Sequence, residues 1–375
     1  MQHIFDSLKV VELANVLAGP SVGQFFAELG AKVIKVENPA TKGDVTRSWK
    51  TSEESDNSSV SAYFSAVNAG KTSVALDVKS ERDQATLKDL IKEADLLISS
   101  YKPGDSEKLG LDYETLRNIN PQLIYAEITG YGNDSPKVGY DAILQAETGY
   151  MFLNGEPGGE SIKMPVALID VLAAHHLKEA VLLAYIHRLK TNEGSRVSVS
   201  LFDAAVSSLV NQATNYLVGD YNPQKMGAEH PNIAPYGKLF TCADKAQIIL
   251  AIGNDKQFKL LCESLNVESI ANDLRFENNK QRVKNRTELN TLLQESIQRF
   301  DSITLLEILE RKKVPSGRLN DIATLFQSKE AQKLTIKDGK QIVGLKNFVA
   351  KMSFMEKMPH ITPPASFNSG IASFE

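Results

Sequence analysis

Val10-Val11-Glu12-Leu13, Ala18-Gly19-Pro20, Gln24 to Leu29, Gly30 and Lys32-Val33-Ile34-Lys35-Val36-Glu37 decide the fold when read in that order. The first run is apolar and β-branched and reads as a strand. Ala18-Gly19-Pro20 is a turn, and Pro20 suits the first turn of a helix, where a missing N–H costs nothing. Gln24 to Leu29 carries an apolar stripe, and Gly30 suits the left-handed stop after it. Lys32 to Glu37 is a second strand. A strand, a helix and a strand in this order make a β-α-β unit, and such units build parallel sheets.

The pattern recurs along the chain. Ser73–Val78 reads as a strand, Glu81–Glu93 as a helix and Asp95–Ser99 as a third strand. Leu123–Ile128 is a further strand, ending at Gly130-Tyr131-Gly132. Thr51–Ser61 is polar, lacks an apolar period and reads as an exposed loop. Asp170–Lys190 reads as a long helix, Val197–Leu201 as a strand and Phe202–Tyr216 as a helix. Gly219–Pro235 holds Pro223, Gly227, Pro231 and Pro235 and reads as a linker or binding loop. A second αβ region follows, with a strand at Gln247–Ile252 and helices at Asp255–Leu265, Thr287–Phe300 and Ser302–Lys312. From Gln341 onward the chain reads as extended and loop-rich.

Composition narrows the function. The 375 residues suit two domains or one large α/β unit. Hydrophobic residues at 42% and charged residues at 23% are those of a folded protein. The net charge is −4, which argues against a general nucleic-acid binder and leaves a small polyanionic ligand open. Cys242 and Cys262 stand alone without a CxxC pair, so neither a disulfide framework nor a metal site is expected. No leader pattern and no membrane-length apolar run is read, and a soluble, cytoplasmic protein is the expectation.

Several residues carry candidate chemistry. Gly19 and Gly23 flank Pro20 but omit the glycine that lets a dinucleotide pyrophosphate approach, which argues against a nicotinamide enzyme. Asp170 follows the apolar run Pro165–Ile169 and opens the long helix. It reads as an N-cap, or as a carboxylate displayed at the carboxyl edge of a parallel sheet, and the two readings are compatible. Tyr140-Asp141 reads as a loop or cap pair. His175 and His176 are adjacent, so a helix points them apart. His230 lies in the Pro-rich loop and reads as either structural or a ligand contact.

Taken together, these strings resemble one family, the class III CoA-transferases (CaiB/BaiF family). The resemblance rests on Val10–Leu13 with Leu17–Pro20, Leu29–Glu37, and Gly43-Asp44-Val45-Thr46-Arg47. It continues through Asn68-Ala69-Gly70-Lys71, Leu76–Lys79, Lys102-Pro103-Gly104, Leu109-Gly110-Leu111, Asn120-Pro121, Gly139-Tyr140-Asp141 and Pro315-Ser316-Gly317. The match is collinear to about Phe326. Gly227–Tyr236, Asn211-Gln212, Asn215-Tyr216 and Gly253–Phe258 resemble the branch that pairs succinyl-CoA with C5-type dicarboxylates such as glutarate, hydroxymethylglutarate or itaconate.

The resemblance implies an α/β fold: a Rossmann-like large domain and a smaller α/β domain joined by two long linkers. It implies a large CoA-binding domain at 1–205, a linker at 206–224, a small domain at 225–325, and a return segment at 326–375 that completes the large domain. Two chains are expected to interlock as rings in a homodimer. Asp170 is the implied catalytic nucleophile, with Tyr140 and Asp141 beside it. CoA, a substrate and not a resident cofactor, is expected to meet Leu17, Ala18, Leu76, Lys79, Ser100, Tyr101, Lys102 and Lys108. Lys79 and Lys108 are the implied phosphate partners, and Arg47 or His230 the partner of the acceptor's distal carboxylate. Asn38 stands where the family often has Arg, Ala69 interrupts its Asn-Arg-Gly-Lys string, and Ser100 replaces a frequent Asn. The expected partners are acyl-CoA and carboxylate substrates, with no nucleic acid and no membrane. The alternatives are an α-methylacyl-CoA racemase on the same scaffold, which would need a base where Tyr140 stands, and a non-catalytic acyl-CoA-binding protein.

Overall fold

The computed structural model describes residues 3–355 and 357–374. Six strands form one parallel sheet: β1 Lys9–Leu13, β2 Lys32–Glu37, β3 Lys71–Ala75, β4 Leu96–Ser99, β5 Ile124–Thr129 and β6 Ser195–Ser200. Their order is β3-β2-β1-β4-β5-β6, so the direction of winding reverses between β1 and β4. All five strand pairings are parallel. The helix Ala18–Glu28 connects β1 to β2 as the sequence predicts, and Glu81–Glu93 lies between β3 and β4. Val11, Leu13, Ile34, Leu87, Ile91 and Leu97 belong to the buried cluster on one side of this sheet.

The chain divides into two compact units. The first comprises 1–148, 164–210 and 329–375, and the second comprises 149–163 and 211–328. The second unit has its own antiparallel sheet, with order β7-β8-β9 (Tyr236–Thr241, Gln247–Ala251, Ser316–Arg318). Phe240, Ile248, Leu250, Phe258, Leu261 and Leu293 fill its core. In the first unit a hairpin, β10 Thr335–Asp338 and β11 Gln341–Leu345, precedes the loop-rich end of the chain. That end is fastened through Glu28, which is wholly buried. Its carboxylate accepts the backbone N–H groups of Asn347 at 2.7 Å and Phe348 at 2.8 Å. Among the described residues no helix is long and apolar enough to cross a membrane.

Two helices differ from the sequence reading. The long helix runs Leu168–Thr191, starting two residues before Asp170, and the residues just before it form loop and bends instead of a strand. The stretch read as one helix over Phe202–Tyr216 is two, Leu201–Ser207 and Val210–Leu217. Val210 sits at φ 40°, a left-handed geometry that a continuing helix does not permit.

Three charged side chains are sealed under the helix Ala18–Glu28. Glu12 on β1, Lys35 on β2 and Lys71 on β3 are exposed by 0%, 1% and 5%. Glu12 accepts from Lys35 Nζ at 3.0 Å and from Lys71 Nζ at 2.8 Å. Burial pulls the Lys71 ammonium down to about 8, against the attraction of Glu12. The two glycines that invited a dinucleotide reading have a packing reason here. A Cβ on Gly19 would stand 2.3 Å from the Ala14 Cβ, and one on Gly23 would stand 1.9 Å from a Glu12 oxygen. The helix can lie on this charged layer only where it carries no side chain.

Removing Glu12 would leave two buried ammonium groups without their shared counter-charge. Glu12→Ala is therefore expected to lose about 3–5 kcal/mol in urea unfolding. Asp89→Ala, which breaks an exposed pair with Lys92, should leave the midpoint unchanged. Equal losses from the two variants would show that the buried triad is not what holds the strands.

Candidate active site

At the carboxyl ends of β1, β4 and β5 lies a cavity of about 270 Å³. Three loops line it: Asn15–Gly19 after β1, Ser100–Pro103 after β4, and Gly130 with Lys137–Asp141 after β5. Asp170 and Leu201 complete the wall. The winding reversal between β1 and β4 opens this crevice, the place where open parallel sheets bind ligands. Leu17, Ala18, Ser100, Tyr101, Lys102, Tyr140, Asp141 and Asp170, all singled out in the sequence, come together here. Leu76, Lys79 and Lys108 line an adjoining cavity of about 460 Å³, which shares Asn15 and Tyr101 with the first. Lys79 is exposed, and Lys108 reaches Asp105 at 3.0 Å with most of its side chain in solvent.

Asp170 occupies the first turn of the helix Leu168–Thr191. The N-cap position belongs to Ala167, which offers no side-chain cap, so the expectation that Asp170 caps the helix is corrected. Asp141 performs that task from outside, its Oδ2 accepting the Ile169 N–H at 2.8 Å. Its Oδ1 accepts from Gln145 Nε2 at 2.7 Å, and Gln145 Oε1 in turn accepts the Met164 N–H at 2.8 Å. Asp170 is left 9% exposed, and among the described residues no hydrogen bond or ion pair engages its carboxylate. Burial, and then the charge of Asp141, push its pKa up to about 7. A carboxylate in this state keeps its lone pairs free and gains from sharing charge with an incoming electrophile.

The chain matches CoA-transferase family III over residues 5–365. A succinate–glutarate CoA-transferase of Agrobacterium fabrum is 39% identical over 91% of this chain and 88% of its own length. A succinyl-CoA:glutarate CoA-transferase of Mus musculus is 33% identical over 88% and 74%. A crystal structure of a CaiB/BaiF family protein from Brucella suis superposes with a TM-score of 0.85 at 39% identity, covering 98% of this chain and 97% of that one. The chain belongs to CoA-transferase family III.

In this CoA-transferase the expectation for Arg47 needs correction. Its guanidinium is 5% exposed and spends every donor on the protein. Nε and Nη2 hold the two oxygens of Glu37 at 2.8 and 2.6 Å. Nη1 donates to the carbonyls of Ser59 and Ala365, and Nη2 also reaches Ser73 Oγ. The Phe64 ring lies 3.7 Å from its centre. No donor remains for a substrate carboxylate. His230 belongs to the second unit. Its Nδ1 accepts the Asn232 N–H at 3.1 Å, which leaves Nε2 as the donor. Burial and then Arg286 hold its pKa below the ordinary value, which favours the neutral imidazole.

Two of the three departures from the family pattern have local explanations. Asn38 caps a short turn at Pro39–Thr41 by accepting the Ala40 N–H at 2.9 Å. Ala69 is wholly buried against Ile336 and Ile361, where a charged side chain has no room. Three residues escaped the sequence reading. Lys137 lines the cavity and pairs with Glu147 at 2.7 Å. Gln145 anchors Asp141 at helical spacing, a signal that Tyr140-Asp141 alone does not carry. Tyr63 packs edge-on against Trp49 at 5.0 Å, and burial, followed by Asp170 and Asp141, raises its pKa. Nothing in the local sequence pattern connects Tyr63 to Asp170.

The raised pKa of Asp170 links stability to pH. The unfolded chain loses this proton near the ordinary carboxylate value and the folded one near 7, so the folded state loses ground between those limits. Asp170→Asn removes the loss. In urea unfolding it should exceed the wild type by about 4 kcal/mol at pH 8, with the gap closing toward pH 4. A gap that is the same at both pH values would place the Asp170 proton elsewhere.

Proposed function

We propose that this enzyme moves CoA from succinyl-CoA to a C5-type dicarboxylate such as glutarate, with Asp170 as covalent carrier. The observation that carries the reading is the free, buried Asp170 carboxylate in a cavity at the sheet's winding reversal. The succinyl donor and glutarate acceptor are taken over from the names of the relatives in Agrobacterium fabrum and Mus musculus. CoA would extend from the Asp170 cavity past Tyr101 into the adjoining one, its phosphates toward Lys79, Lys102 and Lys108. Leu17, Ala18, Leu76 and Ser100 would supply the remaining contacts, with Tyr140 and Asp141 beside the acyl group.

The chemistry proceeds by acyl exchange. The Asp170 carboxylate attacks the thioester carbonyl, the C–S bond breaks, and CoA leaves as thiolate with a mixed anhydride on the enzyme. The thiolate attacks the aspartyl carbonyl, releases succinate, and forms an aspartyl-CoA thioester. An acceptor carboxylate attacks that carbonyl and expels the thiolate, which attacks the acceptor's acyl carbon. Acyl-CoA leaves and Asp170 is a carboxylate again. A carboxylate is a weak nucleophile, but holding it against the thioester is worth about 7–11 kcal/mol of barrier. With Arg47 committed to Glu37, we assign the acceptor's distal carboxylate to His230, as a neutral donor through Nε2. We also propose a cytoplasmic homodimer. Leu183, Ile186 and Leu189 stand exposed on the helix Leu168–Thr191, a stripe that a second copy would cover. The large-domain boundaries of 1–205 and 326–375, with linker and small domain between, remain part of this reading.

Intact-protein mass after incubation with succinyl-CoA tests the carrier. The wild type should gain a CoA adduct, with yield rising as pH passes through about 7, and Asp170→Ala should gain none. An adduct of equal yield on Asp170→Ala would remove Asp170 from the chemistry. For the acceptor, His230→Ala should cut the preference for glutarate over a monocarboxylate by about tenfold. An unchanged acceptor profile would free His230 of that role.

A further inference from the structure

Val16 lies in the cavity wall with φ at 70°, a left-handed backbone that a β-branched residue avoids. Such a geometry persists only where its surroundings impose it. The source of the constraint is Asp44, in the Gly43–Arg47 string that the chemistry above leaves without a task. Asp44 is 2% exposed and is absent from the wall of the Asp170 cavity. Its two oxygens accept the Val16 N–H at 3.3 and 3.1 Å. The carboxylate is itself oriented by the Thr46 N–H at 3.0 Å and the Thr46 hydroxyl at 2.8 Å. Lys35 Nζ grips the same turn from the other side, at 3.0 Å from Asp44 Oδ2 and 2.7 Å from the Ala14 carbonyl. Burial alone would raise the Asp44 carboxyl, but Lys35 and Thr46 outweigh it and keep it ionised and below its ordinary value.

The left-handed turn shapes the cavity wall. With Val16 left-handed, the chain passes from β1 into the helix Ala18–Glu28, and Asn15–Gly19 form five consecutive residues of the cavity wall. Gly19 fits against Ala14 with no room for a side chain, so the backbone after the turn is held close to β1. A Val16 released to its preferred backbone would carry the loop out of register with Asp170.

We propose that Asp44 is a positioning residue, acting through Val16: it holds the turn after β1 in the left-handed form that completes the acyl-CoA cavity around Asp170. The proposal rests on the cavity being the acyl-CoA site. In this proposal Asp44 acts through Val16, from outside the wall of the Asp170 cavity.

The test is a double-mutant cycle between Asp44→Ala and Val16→Gly, since glycine adopts the left-handed form without help. The readouts are kcat and KM for succinyl-CoA-dependent adduct formation, and amide hydrogen exchange of the peptide spanning Ala14–Pro20. Asp44→Ala should lower kcat/KM by about tenfold when residue 16 is Val, and by about threefold at most when it is Gly. Exchange at Leu17 to Gly19 should quicken in Asp44→Ala and return toward the wild type in the double variant, while the residue-16 amide, without its Asp44 acceptor, stays fast in both. A loss of the same size in both backgrounds would mean that Asp44 serves only as counter-ion to Lys35, and would overturn the proposal. Should Asp44→Ala fail to fold, Asp44→Asn, with a neutral and weaker acceptor, enters the same cycle and is judged by the same rescue. If the wild type forms no adduct with succinyl-CoA, the reading of the site falls. The exchange measurement then still decides whether Asp44 holds Val16.

Discussion

Glu12 is a carboxylate sealed from water between two ammonium groups, Lys35 from the adjacent strand β2 and Lys71 from β3 beyond it. Such a group tolerates no partial arrangement. An unpaired charge at that depth costs several kcal/mol, so β1, β2 and β3 either meet in register or do not assemble. The same layer explains the glycine at 23 on the helix above it, while Gly19 makes room for Ala14. It continues outward through Lys35 to Asp44, and beside it through Glu37 to Arg47. A polar network of this kind adds little net stability compared with an apolar core of equal volume. Its contribution is to permit one arrangement of the strand ends, and the site is built on those ends.

Four buried carboxylates near the carboxyl ends of the strands fall into two chemical kinds. Glu12, Glu37 and Asp44 each have a cation at 3.0 Å or less, and they are spent. Asp170 has none among the described residues and faces another acid instead. The difference is produced by placement, since all four are cut off from solvent. Asp141 matters on both counts. It supplies the repulsion that raises Asp170, and it caps the helix, which frees Asp170 from capping. A side chain taken off structural duty in this way is available for bond making.

The sheet was legible from the sequence because its signals are local. Short β-branched runs alternate with helical stripes, and Gly30 and Pro20 punctuate them where the chain turns. The collinear strings, read as a resemblance, led to Asp170 and to the loops that surround it. Other features rest on pairings that local spacing does not encode. Asp141 caps a helix that begins more than twenty residues later, so Asp170 looked like the cap. Arg47 looked free because neither Glu37, ten residues earlier on another element, nor the distant Ala365 carbonyl is marked as its partner by local spacing. β7 and β9 are short strands next to a turn-rich loop, with their partner β8 between them in sequence, and only the assembled sheet defines them. Val16 offers no sequence signal of a left-handed turn at all, since the residue that imposes it is Asp44.

The fastening of Glu28 by Asn347 and Phe348 has a consequence for how the protein is made. The first unit opens the chain and is finished only by its last segment, from residue 329 onward. The second unit is whole by residue 328. A ribosome adding about 5–20 residues per second leaves the Glu28 carboxylate waiting on the order of half a minute for its two amide donors. Through that interval the larger unit stays unclosed on the nascent chain, and the smaller one is whole only for the last part of it, from residue 328 onward. Vectorial synthesis thus separates the two halves of the Glu28 contact in time, and the interval is when this chain most needs shielding from its neighbours.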